Sequence, residues 1–251
     1  MTLHSLPVFL RLNGRPVILV GDGEAAAAKR RLLERAGAVI VGEDDRDARL
    51  AIVADDASAV ARLRARGVLV NAVDRPEWCD FTLPAIVDRA PVLVAIGTGG
   101  VSAGLAAALR QRLETLLPAS LGRLAEALHA ARGALRTSLP DGAARRRAIG
   151  AALAPGAALD PLGDYDGRDA ARAVGAAVAA TGVVRLVLGS ADPDDLTLRH
   201  ARLLAAADRV THRADVPVAI LDRARADAVR EACDAPPEAG DGLTVDLAMA
   251  R

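Results

Sequence analysis

One segment near the start of the chain has the residue types and spacing that hold the phosphates of a dinucleotide. In VILVGDGEAAAAKRRLLERAGA an apolar run reaches Gly21, repeats a glycine at Gly23 and becomes helical. The first glycine of such a GxGxxA turn permits a tight bend, the second lets a pyrophosphate approach, and Ala26 permits close helix packing. Amides around Glu24 and Ala25 would point at the phosphates. The segment predicts dinucleotide binding, with a ligand-free glycine turn as the alternative.

Acidic residues follow at the distance expected of a ribose ligand. Glu43, Asp44 and Asp45 come about 20 residues after the glycine turn, at the end of the second predicted strand. A carboxylate there accepts hydrogen bonds from the ribose hydroxyls of NAD, whereas NADP needs a cation for its additional phosphate. The sequence therefore favours NAD, and we expect Asn71 to lie close to the same cofactor.

Strand and helix patterns alternate in the first part of the chain and predict a parallel sheet covered by helices. The strand-like runs are residues 17–20, 39–41, 51–53 and 68–70. Only the eight residues GEDDRDAR join the second run to the third, although a parallel crossover usually needs about ten or more. We expect an α/β fold with a shortened Rossmann-type sheet, which puts the affinity for NAD in question.

The pattern changes after this sheet. FTLPAIVDR and PVLVAIGT are strand-like runs joined by Ala90 alone, which predicts an antiparallel pair. A helix over residues 102–117 carries one apolar stripe suited to a dimer seam. The stripe consists of Leu105, Leu109, Leu113 and Leu116. Further helices are predicted over residues 121–138, 142–153 and 168–180.

A second strand and helix unit is predicted towards the C-terminus. VVRLVLGS has the composition of a strand, and a helix is expected over residues 194–207. The tail offers two more strands, at 218–221 and 243–247, with a helix over 223–233 between them.

Composition limits the classes of function. The 251 residues include 32 basic and 32 acidic side chains, so no net field favours nucleic acid or an anionic membrane. No apolar stretch approaches the roughly 18 residues of a membrane helix, and no signal-peptide pattern is present. We therefore expect a cytoplasmic protein. The two cysteines and four histidines lack metal-ligand spacing, so we expect no resident metal.

Four stretches occur in an order that is far more specific than the glycine turn alone. They are LPVFLRLNGRPVILVGDGEAAAAKRRLLERAGA, LAIVADD, NAVDRP and FTLPAIVDRAPVLVAIGTGGVSAGLAAALRQRLETLLP. Together, over about residues 5–150, they resemble the N-terminal half of siroheme synthase, the precorrin-2 dehydrogenase and sirohydrochlorin ferrochelatase family. The resemblance implies a homodimer that oxidises precorrin-2 to sirohydrochlorin with NAD and also takes Fe²⁺ as a substrate for insertion.

The resemblance also implies a division of the chain. It places a Rossmann domain at residues 1–90, a dimerisation region at 91–120 and a small helical domain at 121–180. From residue 181 to 251 the sequence looks like the opening of a uroporphyrinogen-III methyltransferase. The glycine-rich loop of such methyltransferases is replaced here by GSADPDDLTL, and their later GGDP stretch has no counterpart in this sequence. We expect a truncated α/β remnant without methyltransferase activity.

The central acid of the family matches Asp74 of NAVDRP. This residue follows a predicted strand at its carboxyl end, where open α/β sheets bind ligands. A carboxylate there can accept the proton released by oxidation or the pyrrole protons released by metal insertion. The alternative is that Asp74 caps the turn before Pro76.

Other residues are assigned to the substrate. Thr98 matches a family position beside the substrate, although it also suits the start of a helix. The substrate carries eight carboxylates and needs cations, for which Arg89, Arg110 and the run 145–147 are candidates. Two other functions stay open: a non-catalytic module that binds NAD or a tetrapyrrole, and a dehydrogenase without chelatase activity.

Overall fold

The protein is α/β in its computed structural model, which describes residues 4–235, 237–238 and 242–250. It divides into two compact units. The N-terminal unit comprises the described residues up to Asp88 together with Leu93–Thr115. The C-terminal unit comprises Arg89–Val92 and the described residues from Leu116 onward. Among the described residues, no helix has the length and apolar character needed to cross a membrane.

The N-terminal unit contains a four-stranded parallel sheet in the order β2-β1-β3-β4. Its strands are β1 (Pro16–Val20), β2 (Val39–Val41), β3 (Leu50–Val53) and β4 (Leu69–Ala72), and its helices are α1 (Gly23–Arg35) and α2 (Ala57–Ala65). The predicted parallel sheet is therefore confirmed. The carboxyl ends of all four strands meet at one edge because the strands are parallel.

Helices cover both faces of this sheet because its strands are apolar on both sides. Val17 and Leu19 of β1 pack with Leu33 of α1. Ile18, which points the opposite way, packs with Leu63 of α2. Continuous apolar strands of this kind are typical of parallel sheets buried on both faces.

The short link between β2 and β3 contains no helix, as its length predicts. Arginines of α2 and the adjoining turn hold it instead. The guanidinium of Arg62 donates to both carboxylate oxygens of Glu43, at 2.6 and 2.8 Å. Arg66 donates to the carbonyl oxygens of Glu43 and Asp45. The Asp45 carboxylate accepts the amide of Ala48 at 2.8 Å. Side-chain hydrogen bonds thus order the link without a crossover helix.

A hairpin and a long helix follow the first sheet. Strands β5 (Ala85–Arg89) and β6 (Val92–Ile96) form a two-stranded sheet, and their short connection makes the pair antiparallel. Helix α3 (Ala103–Leu116) follows and has no buried residue. Leu105 and Leu116 are each 54% exposed. The predicted apolar stripe therefore lies on an uncovered helix face.

The C-terminal unit begins with three helices around an apolar cluster. They are α4 (Leu121–Ser138), α5 (Gly142–Ala152) and α6 (Ala170–Ala176). Leu124, Leu135 and Val174 are buried in the cluster. Helix α6 ends at Ala176 rather than at residue 180 as predicted. Val178 is 91% exposed, so a longer helix would gain no burial to offset its ordering.

A second four-stranded parallel sheet lies in this unit, in the order β7-β10-β8-β9. Its elements are β7 (Gly182–Leu188), α7 (Leu198–Ala206), β8 (Arg209–His212), α8 (Val218–Leu221), β9 (Val229–Ala232) and β10 (Leu243–Met249).

Two predictions for the tail are wrong. Residues 218–221 form a helix after Pro217 rather than a strand, and the predicted helix over 223–233 is replaced by turns and β9. A run of four apolar residues does not distinguish a buried helix from a strand. Pairing with β8 fixes β9, and such pairing is invisible in the local pattern.

Candidate functional site

The glycine turn after β1 has the backbone geometry of a phosphate site. Gly21 has φ of +100°, and a Cβ on it would overlap the carbonyl oxygen of Ala54. Gly23 has φ of +81°, and apart from its chain neighbours and the backbone of its own helix, no atom of the described residues lies within 4 Å of its Cβ position. The first position therefore requires glycine for the fold. The second leaves open space beside the backbone.

The start of α1 is also open to an anion. Asp22 precedes the helix without a side-chain capping hydrogen bond. Within the described part of the chain, no side chain accepts a hydrogen bond from the first-turn amides, which include those of Glu24 and Ala25. Ala26 is 4% exposed, as close packing of the helix on the sheet requires. Unclaimed amides, the helix dipole and the space beside Gly23 fit the pyrophosphate of a dinucleotide.

The three acids considered for the ribose differ in their partners. The hydrogen bond from Arg62 lowers the pKa of the Glu43 carboxyl, and the same contact occupies that carboxylate. The Asp45 carboxylate accepts the amides of Asp47 and Ala48. Asp44 is exposed and has no side-chain hydrogen bond or ion pair within the described part of the chain. Asp44 is therefore the acid with a carboxylate available to a ribose.

Two aspartates at the carboxyl edge of the sheet share an unusual conformation. Asp55 and Asp74 have φ of +60° and +58°, in the left-handed region. Val53 of β3 pairs with Ala72 of β4, so each aspartate lies two residues beyond a paired position. Aspartate tolerates this conformation better than most residues but still adopts it at a cost. The turns thus present two exposed carboxylates at the same edge of the sheet.

A small polar cavity lies between the ends of β3 and β4. Its volume is about 170 Å³, and its lining includes Asp55, Asp56, Arg75 and Trp78. The Arg75 guanidinium lies 5.3 Å from the centroid of the Trp78 ring. Pockets for whole small-molecule ligands measure about 300–1,000 Å³, so this cavity can take part of a ligand but not a tetrapyrrole.

Asn71 and Thr98 make contacts within the chain. Asn71 is 7% exposed and donates its side-chain amide to the carbonyl oxygen of Phe81 at 2.9 Å. The Thr98 hydroxyl donates to the carbonyl oxygen of Ser102 at 3.0 Å, just before α3. Both side chains therefore stabilise loops, and neither contact tests the predicted contacts with cofactor or substrate.

The candidate arginines are likewise attached to the backbone. Arg89 donates through Nε and Nη2 to the carbonyl oxygen of Leu117, at 3.2 and 3.0 Å. Arg110 donates to the carbonyl oxygen of Ile86 at 2.9 Å and lies 3.5 Å from Glu114. The two arginines lie in different units.

A larger cavity, of about 680 Å³, lies in the C-terminal unit between α5 and α7. Alanines form much of its wall, and Asp208 in its lining is paired with Arg225 at 3.1 Å. Its larger volume would favour this cavity as a binding site. The one carboxylate among its lining residues, that of Asp208, is however neutralised by Arg225. We therefore take the edge of the first sheet as the candidate site. Within the described residues, no group of three or more His, Cys, Asp or Glu could hold a metal ion.

Sequence reasoning missed how the loop that carries Asp74 is held. The Cys79 sulfur lies 3.3 Å from the amide nitrogen of Ala72 and 3.3 Å from the carbonyl oxygen of Arg75. The only signal for this contact in the sequence is a cysteine just after NAVDRP, and its spacing does not indicate which atoms the sulfur meets.

Comparison with known proteins identifies relatives over most of the chain. No protein-family model matches it. The siroheme synthase of Methylococcus capsulatus is 37% identical over 268 residues, which cover 91% of this chain and 56% of the relative. The siroheme synthase of Azotobacter vinelandii is 38% identical over 266 residues, or 91% of this chain and 57% of the relative. The chain thus spans little more than half the length of these relatives.

A solved structure shows a weaker likeness. The structure of SirC, a precorrin-2 dehydrogenase, gives a TM-score of 0.46 at 21% identity and covers 57% of this chain and 87% of that chain.

Proposed function

We propose, because the chain is homologous to siroheme synthases over 91% of its length, that it oxidises precorrin-2 to sirohydrochlorin with NAD and then inserts Fe²⁺. One observation carries the proposal. The open glycine turn after β1 and the left-handed Asp74 after β4 lie at the same edge of one parallel sheet. Ligands of open α/β sheets bind at this edge.

The proposed role of the glycine turn is to bind NAD. The amides of the first turn of α1 hold the pyrophosphate beside Gly23, and the free carboxylate of Asp44 accepts a ribose hydroxyl. Glu43 and Asn71 already have partners within the chain: the Glu43 carboxylate accepts from Arg62, and the Asn71 amide donates to the carbonyl oxygen of Phe81. When bound, NAD supplies the acceptor for the hydride.

Asp74 is the proposed base. Oxidation of precorrin-2 by NAD gives sirohydrochlorin, NADH and one proton, and Fe²⁺ insertion releases two pyrrole protons. The Asp74 carboxylate is exposed and unpaired within the described residues, so it can accept a proton in either step. Its turn holds it at a defined place, which orients the carboxylate towards bound substrate.

The substrate contacts and the dimer complete the proposal. Arg110 gives Nε to Ile86 and approaches Glu114 through Nη2, and a guanidinium has five N–H donors. It can therefore also bind a substrate carboxylate, while the substrate contacts of Thr98 and Arg89 stay predictions.

A second copy of this chain is the proposed partner of the exposed leucine stripe on α3.

Anaerobic absorbance measurements test the function. Precorrin-2 and NAD are added to the purified chain, followed by Fe²⁺ or Co²⁺. We expect NADH and sirohydrochlorin to form in equal amounts, followed by the spectrum of the metal complex. NADH without metal insertion would indicate a dehydrogenase that leaves insertion to another enzyme. NAD binding without any NADH would indicate a binding module.

A further inference from the structure

We propose that Cys79 is a positioning residue that holds Asp74 in its left-handed conformation. The inference rests on the proposed function, because Asp74 is the base in that proposal. Cys79 follows a short 3-10 helix, Pro76–Trp78, that turns the chain back towards β4. Its side chain is partly buried and is a free thiol.

The sulfur contacts the chain on both sides of Asp74. Before the aspartate, Sγ accepts the amide of Ala72 at 3.3 Å and lies 3.2 Å from the carbonyl oxygen of the same residue. After it, Sγ lies 3.3 Å from the carbonyl oxygen of Arg75. A thiol has one hydrogen, so it donates to one of the two carbonyls at a time. One atom therefore connects the two ends of the turn.

The position of Cys79 is itself fixed by the residues that follow it. The Asp80 carboxylate accepts the amide of Val70 at 2.9 Å, and the Asp80 amide donates to the carbonyl of Val70 at 2.8 Å. Arg64 of α2 donates to the same carboxylate at 2.9 and 3.2 Å.

Asn71 of β4 also holds this segment, because its side-chain amide donates to the carbonyl oxygen of Phe81 at 2.9 Å and to the sulfur of Cys79 at 3.5 Å. Residues 79–81 are thus attached to β4, and the sulfur is held beneath the Asp74 turn.

The turn needs this support because its own hydrogen bonding is weak. The amide of Arg75 reaches the carbonyl oxygen of Ala72 at 3.3 Å, which is longer than most N–H···O bonds. A left-handed φ is strained for an aspartate, and such a conformation persists where the surroundings impose it. Without the sulfur, Asp74 can relax to an ordinary φ, which turns its carboxylate away from the substrate.

The test compares Cys79→Ala and Cys79→Ser with Cys233→Ser, the same change at the other cysteine of the chain. We expect Cys79→Ala to lower the kcat of precorrin-2 oxidation about tenfold or more. The Kd for NAD and the KM should change by less than about twofold, because the contacts of the sulfur are with Asn71, Ala72 and Arg75. Cys79→Ser should recover part of the loss because a hydroxyl can make the same contacts over a shorter reach. Cys233→Ser should retain the wild-type kcat.

A second readout is independent of turnover. Hydrogen exchange at the amide of Ala72, whose acceptor is the sulfur, should speed up in Cys79→Ala. An active wild type with unchanged kcat per folded molecule in Cys79→Ala would overturn the inference. If the wild type produces no NADH, the proposed function fails, and the exchange rate alone then decides: unchanged exchange at Ala72 would overturn the contact, and faster exchange would support it.

Discussion

The two parallel sheets of the molecule differ in where their aspartates lie and in whether the carboxylates have partners. In the N-terminal unit, Asp55 and Asp74 lie beyond the strand ends, exposed and in left-handed turns. In the C-terminal unit, Asp246 lies within β10 and is 3% exposed. Arg213 donates to both of its oxygens at 3.0 and 3.1 Å, and Thr211 donates at 2.7 Å.

This difference distinguishes a carboxylate that is available for a reaction from one that stabilises the fold. An exposed carboxylate without a partner can exchange a proton and meet a ligand. A buried carboxylate held by Arg213 and Thr211 is closed to a ligand, and its hydrogen bonds raise the pKa of the Arg213 guanidinium. The same α/β architecture therefore supports a candidate reaction at the edge of one sheet and an internal ion pair in the other.

Asp74→Asn should have the largest effect. The amide keeps the size and the turn preference of aspartate but cannot accept a proton. We expect kcat for precorrin-2 oxidation to fall about 1,000-fold, with unchanged unfolding temperature, measured by NADH formation and thermal denaturation. Glu77→Gln, in the same loop, is the matched control and should keep the wild-type rate. Equal rates in Asp74→Asn and wild type would remove the base from the mechanism.

Asp246→Ala should act on stability alone. It leaves Arg213, whose side chain is 22% exposed, without its carboxylate, and breaking a buried pair costs about 4 kcal/mol. Urea denaturation of the C-terminal unit measures the loss, and the Kd for NAD should not change. Asp194→Ala removes an exposed pair with Arg223 and should cost about 0.5 kcal/mol. Similar losses for the two variants would contradict the distinction between the sheets.

Gly21→Ala and Gly182→Ala compare two glycines with nearly the same φ, +100° and +98°. A Cβ at Gly21 meets Ala54, whereas one at Gly182 meets no atom of the described residues within 4 Å apart from its chain neighbours. We expect losses of about 3 kcal/mol at Gly21 and about 1 kcal/mol at Gly182, measured by denaturation. Only Gly21→Ala should also weaken NAD binding in calorimetry. Unchanged NAD affinity in Gly21→Ala would count against the phosphate turn.

Asp80 gives the smallest effect, a dependence of stability on pH. Partial burial alone would raise its pKa, but hydrogen bonds from Arg64 and the Val70 amide outweigh burial and lower it. The folded pKa is then below the unfolded value of about 3.9, so this stabilisation is full above that value and is lost as the pH falls through the folded pKa. Asp80→Asn should flatten the acid limb of the unfolding curve. Identical acid limbs would refute this.

The sequence predicted the first sheet and the glycine turn because both depend on local patterns. Short apolar strands, glycine spacing and the eight-residue link are all readable along the chain. The local pattern failed at residues 218–233, where pairing with a distant strand decides the structure. The local pattern also could not show that Arg62 donates to the Glu43 carboxylate or that the Cys79 sulfur contacts the turn that carries Asp74. Both contacts join residues that only folding brings together.

The most direct test of the proposed oxidation at the carboxyl edge of the first sheet is one anaerobic reaction of the purified chain with precorrin-2 and NAD, followed by absorbance. We expect one NADH for each sirohydrochlorin formed in the wild type and almost none in Asp74→Asn. Precorrin-2 that persists unchanged with NAD-saturated wild-type protein would contradict it.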